Sequence, residues 1–195
     1  MISPTEFTQQ WGKDGLVSYE ASLVNSLNIP DVSRQFLLEA GLPKQSFITT
    51  FDLGSNTLLP LPEAALRDNW AYGLREPFPP GYARYRLLGI KSFNVPPDSF
   101  DEMFVCLDEQ QEGKVVWIYN EPDYHVKLLN NTVPQLAEML LLIREDFYNR
   151  QKLNWNNAQE AEQYFINLKR SMLAVDISSL TDDQGWSVYI NNLLG

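Results

Sequence analysis

The stretch Met103-Phe-Val-Cys-Leu-Asp-Glu-Gln-Gln-Glu-Gly-Lys-Val-Val-Trp-Ile-Tyr119 decides the fold. Two apolar runs rich in β-branched and aromatic residues, Met103–Asp108 and Lys114–Tyr119, flank the short polar segment Glu109–Gly113, and this order predicts an antiparallel hairpin. In the second run Val115, Trp117 and Tyr119 fall on one face and Val116 and Ile118 on the other. Both faces are apolar, so both need cover. Outward from the hairpin, Tyr85–Phe93 predicts a strand before it, and His125–Leu129 a short strand after it.

Helices are expected on either side of these strands. Ser3-Pro4-Thr5-Glu6 is a capping box with Pro at the first helical position, and Ile2 and Phe7 can staple it. Asp31 to Ala40 predicts a helix capped by Asp31, with Val32, Phe36 and Leu37 as its apolar face and Gly41-Leu42-Pro43 as its stop. Ser46 to Ala83, rich in Pro and aromatics, predicts strand fragments and long loops. Thr132-Val-Pro-Gln135 is a second capping box, launching a helix over Val133–Asn149 whose buried stripe is Leu136, Leu140, Ile143 and Phe147. From Asn157, the residues Ala158, Ala161, Phe165, Leu168 and Met172 keep helical spacing. A shorter helix after Asp182-Asp183 would bury Trp186, Ile190 and Leu193. There is no internal repeat and no long linker. The pattern predicts one α+β domain over residues 1–195, an antiparallel sheet flanked by helices, with a C-terminal helical extension from about residue 150.

The 195 residues are 44% hydrophobic, 12% aromatic and 21% charged, the balance of a folded globular chain. No run of ~18 apolar residues suggests a membrane span, and the Met1–Glu6 start lacks the basic and apolar regions of a secretory signal. The expected location is the cytoplasm, with no membrane partner. One cysteine, Cys106, and one histidine, His125, leave no ligand set for a multi-Cys or paired-His metal site. Cys106 lies within an apolar run, where a buried, inert thiol is expected. His125 reads as a structural histidine at a strand edge; its other reading is a lone base or a pH-sensitive contact. No Gly-x-Ser-x-Gly turn is present and Cys106 lies in an apolar run, so no serine or cysteine triad is expected. The carboxylate pairs Glu109/Glu112 and Glu121/Asp123, with His125, are the residues an enzyme reading would use.

Charge is the strongest global feature. Fifteen Lys+Arg against 25 Asp+Glu give −10, which disfavours direct nucleic-acid binding. Between Pro96 and His125 lie Asp98, Asp101, Glu102, Asp108, Glu109, Glu112, Glu121 and Asp123 against the single base Lys114. Two readings of these acids stand: solvated loop residues, or an edge that attracts a basic protein surface. Aromatics lie close by in sequence. Trp117 belongs to a strand face and is expected in the core, whereas Tyr72, Phe78 and Tyr82, set among Pro and Gly, and Tyr124 are candidate interface anchors. The candidate partner-binding set is therefore Asp98, Asp101, Glu102, Glu109, Glu112, Glu121, Asp123, Tyr124, Tyr72, Phe78 and Tyr82.

Several motifs, taken in order, resemble the SUKH superfamily, a fold named for its yeast cell-wall regulator and bacterial immunity members. Phe36-Leu-Leu-Glu-Ala-Gly-Leu-Pro43 is similar to its helix-ending Gly-Leu-Pro signature, and Tyr85–Ile90 to its strand with a central Gly. Met103–Tyr119 resembles its hairpin. Leu128-Leu-Asn-Asn-Thr132, running into Leu136 and Leu140, resembles the Asn-x-Ser/Thr lead-in to its main helix, and Gln184-Gly-Trp186 the C-terminal Trp helix of one immunity branch. The resemblance covers about residues 31–194. Thr132 stands where Ser is frequent, a change that keeps the cap, and Trp70–Tyr82 has no counterpart. The resemblance implies a binding module without a cofactor: a protein that neutralises the cognate toxin encoded beside it, often a nuclease or deaminase, by occluding it. The alternative is an interaction scaffold or regulatory adaptor for an endogenous partner on the same fold. The oligomeric state is open.

Overall fold

The computed structural model of the chain describes residues 1–46, 49–67, 78–91, 103–119, 125–155, 157–181 and 185–187. Its centre is a four-stranded antiparallel meander in the order β1 (Tyr85–Lys91), β2 (Met103–Asp108), β3 (Lys114–Tyr119), β4 (Val126–Asn130). The β2–β3 pairing runs without a break from Met103↔Tyr119 to Asp108↔Lys114. At the turn the Asp108 carboxylate accepts from the Gln110 N–H at 3.0 Å and Gly113 N–H donates to the Asp108 carbonyl at 2.9 Å. Gly113 sits at φ +69°, and a Cβ there would lie 2.6 Å from Ile29, so only Gly fits between hairpin and the preceding helical layer.

Both sheet faces are covered, as the apolar alternation requires. Leu88, Val105, Leu107, Val115, Trp117 and Leu129 face the helices, against Phe7, Phe36, Leu136, Leu140, Phe165 and Trp186. Each such large side chain contributes about 1.5–3 kcal/mol by leaving water. Leu87, Ile90, Phe104, Cys106, Val116 and Ile118 form the second face, under Leu61 and Ala64. The register shifts between Leu87 and Gly89, and this bulge inserts Leu88. Strict alternation would place Ile90 with Leu88; the extra residue returns it to the face of Leu87.

The helical layer consists of α1 (Pro4–Trp11), α2 (Ala21–Ser26), α3 (Asp31–Glu39), α5 (Val133–Arg150) and α6 (Ala158–Val175), while α4 (Leu61–Arg67) covers the second face. The expected capping box forms at the start of α1, whereas at the start of α5 Thr132 caps the helix and Gln135 bonds back to its hydroxyl instead of its backbone N–H. Glu6 N–H donates to Ser3 Oγ while the Glu6 carboxylate accepts from the Ser3 N–H at 3.0 Å. Thr132 Oγ1 accepts from the Gln135 N–H and donates to Gln135 Oε1 at 3.0 Å. At the end of α3, Gly41 adopts φ +76° and its N–H donates to the Phe36 carbonyl at 3.0 Å. A side chain at Gly41 would collide with the Val17 carbonyl.

Four further expectations are corrected. Asp31 does not cap α3: Pro30 holds the cap position and Asp31 is the first helical residue, where its charge suits the helix dipole. Val32 is 42% exposed, and its place in the core face is taken by fully buried Ser33, whose Oγ accepts the otherwise orphaned Val133 N–H at 3.2 Å. Phe147 is 38% exposed, because the last turns of α5 bury Asp146 toward α6. Within 46–83 strand fragments and long loops were expected, yet the helix α4 forms there and buries Leu61, Ala64 and Ala65. The expected strand fragments appear as isolated bridges along β1, Thr50↔Ile90 and Pro60↔Arg86, which cover its outer edge. Ile190 and Leu193 of the last expected helix lie outside the described residues, as do Ser92 and Phe93 at the expected end of the first strand.

Candidate functional site

The expected partner-binding residues divide by their place in the sheet. Asp98, Asp101 and Glu102 lie in the β1–β2 connection, and Glu121, Asp123 and Tyr124 in the β3–β4 connection; all six, with Tyr72, are outside the described residues. The residues flanking those two connections are described. Lys91 pairs with Met103, Met103 with Tyr119, and Tyr119 N–H donates to the His125 carbonyl at 3.0 Å, so all four stand in a row at one end of the sheet.

Glu109 and Glu112 are at the other end, in the β2–β3 turn, about 20 Å away along a six-residue strand. Glu109 is engaged within the fold: it receives Arg86 Nε at 2.6 Å and the Asn28 N–H at 3.1 Å, tying the α2–α3 connection to the hairpin. Glu112 is exposed in a left-handed turn conformation. Phe78 and Tyr82 are half-buried, stacked at 5.6 Å, with Phe78 edge-on to Phe104 at 5.7 Å and Tyr82 against Tyr85 at 5.2 Å. These two rings serve partly as cover for the second sheet face.

Buried carboxylates account for much of the remaining polar chemistry, and each is tied into the scaffold. Asp108, one of the acids of the Pro96–His125 run, is wholly buried, 3.3 Å from Arg84 Nη2. Asp146 pairs with Arg150 at 2.9 Å and accepts from the Tyr164 hydroxyl at 2.8 Å, joining α5 to α6. Burial, and then the bond to Asp146, pushes the Tyr164 phenol above its ordinary range. Asp176, just past α6, accepts from the Asn131 N–H at 2.9 Å, Asn131 Nδ2 at 3.0 Å, Asn130 Nδ2 at 3.3 Å and Ser178 Oγ at 2.6 Å. Asn130 Oδ1 in turn accepts Trp186 Nε1 at 3.0 Å, and the Trp186 ring packs on Trp117 at 5.4 Å. The Asn-Asn-Thr motif before α5 thus binds the C-terminal segment to the sheet.

Cys106 is buried as expected, and burial followed by the nearby Asp108 raises its thiol well above the usual value, which leaves it protonated and unreactive. Trp117 is in the core, 1% exposed. His125 is exposed at the start of β4. Among the described residues no group of three or more His, Cys, Asp or Glu side chains is placed to hold a metal, and no helix is long and apolar enough to cross a membrane. Two aromatic side chains that helical spacing did not single out, Tyr148 and Trp155, are 54% and 56% exposed around the α5–α6 connection.

The structure is a mixed α+β scaffold whose meander is covered on both faces and whose buried carboxylates Asp108, Asp146 and Asp176 are paired within the fold. A family model described as SUKH-4 immunity protein matches residues 2–192, and the chain belongs to that family, within the SUKH superfamily. No curated protein and no solved structure matches the chain significantly.

Proposed function

We propose that this immunity protein binds and neutralises one cognate toxin domain by stoichiometric occlusion, in the cytoplasm of the cell that makes it, and that it acts without catalysis or a cofactor. The observation that carries the reading is the family match over residues 2–192, nearly the whole chain. The structural employment of Asp108, Asp146 and Asp176 supports binding over catalysis, since each is bonded to neighbouring elements of the fold.

The docking edge in this reading is the end of the sheet marked by Lys91, Met103, Tyr119 and His125. The connections that leave and re-enter the sheet there carry Asp98, Asp101, Glu102, Glu121 and Asp123, five carboxylates suited to a basic active-site cleft such as a nuclease requires. Tyr124, in the β3–β4 connection, is its candidate anchor, and Tyr72, Phe78 and Tyr82 are further candidate contacts for the partner. Glu109 belongs to the scaffold rather than to this edge. The test is growth of a host expressing the toxin domain encoded beside this gene, with and without the protein. Restored growth is expected; unrelieved toxicity would contradict the reading and favour an adaptor for an endogenous partner.

A further inference from the structure

We draw no further inference here: the strongest candidate, the groove of about 340 Å³ between α1 and α5 walled by Glu6, Glu138 and Glu145, is a cluster of acidic side chains at which nothing in the structure points to a ligand.

Discussion

Asp176 shows how a single side chain can hold two parts of the fold together. Removing it in Asp176→Ala takes the acceptor from the buried Asn130 amide and the half-buried Asn131 N–H, and leaves the Asn131 amide with Ser178 Oγ alone. Stranding such donors should cost about 2–4 kcal/mol, measured as a lowered urea midpoint. Trp186→Ala should cost about 3–5 kcal/mol, because the ring is fully buried against Trp117. The two losses should be less than additive, since Asn130 connects both residues. Protonation adds a second residue-scale expectation. Burial holds Cys106, Tyr164 and Tyr19 protonated in the folded chain, Tyr19 with added repulsion from Asp52. Their unfolded counterparts ionise near pH ~8.5 for the thiol and ~10 for the phenols. The folded state therefore binds more protons above those values, and the stability these groups supply is intact below about pH 8.5 and declines as pH rises further. The urea midpoint should fall between pH 8 and pH 10.5, and less so in Tyr164→Phe; a midpoint independent of pH over that range would contradict the assignment.

The covered edge of β1 depends on the Gly89 backbone. Thr50 and Ile90 exchange backbone hydrogen bonds at 2.9 Å, and a Cβ on Gly89 would sit 2.7 Å from Thr49 and 2.8 Å from Phe51. Gly89→Val should displace this cover, cost about 1–3 kcal/mol as overpacking does, and leave an open strand edge. Increased light scattering near the unfolding midpoint would report that edge; a variant as stable and as soluble as the parent would argue against it. At this scale much of the fold was legible. The hairpin and its two apolar faces followed from alternation around Val115–Tyr119, and α1, α5 and α6 from capping boxes and helical spacing. What escaped were features set by neighbours. Ser33 is polar and so gives no core signal, yet it is buried because it satisfies the first N–H of α5. Phe147 continues the α5 stripe in sequence but is exposed, because packing against α6 turns Asp146 inward instead. The six-residue α2 and seven-residue α4 are too short for periodicity to identify.

Across the whole molecule, the function we propose rests on charge and on the connections at one end of the sheet. The family was legible from motifs whose order matters more than any one of them, and the match over residues 2–192 bears that out. The docking edge we propose was suggested by composition alone, because carboxylates in loops look alike in sequence whether they face water, a partner or the fold. Asp108 and Glu109 illustrate the difficulty: adjacent in the acidic run, one is wholly buried beside Arg84 and the other is bonded to Arg86 and Asn28. If the chain is one domain, as we propose, heat should unfold it in a single transition with coincident near- and far-ultraviolet dichroism. Changing Asp98, Asp101, Glu102, Glu121 and Asp123 together to Lys should slow association with the toxin domain by about 10–100-fold at low ionic strength and weaken its salt dependence. Unchanged association would remove the acidic edge from the account while leaving neutralisation itself standing. The most direct test of neutralisation is to titrate the purified protein into the toxin domain, following toxin activity alongside complex mass by size exclusion with light scattering. The account predicts a one-to-one complex and activity that disappears at equimolar protein; full activity with no complex at any ratio would contradict it.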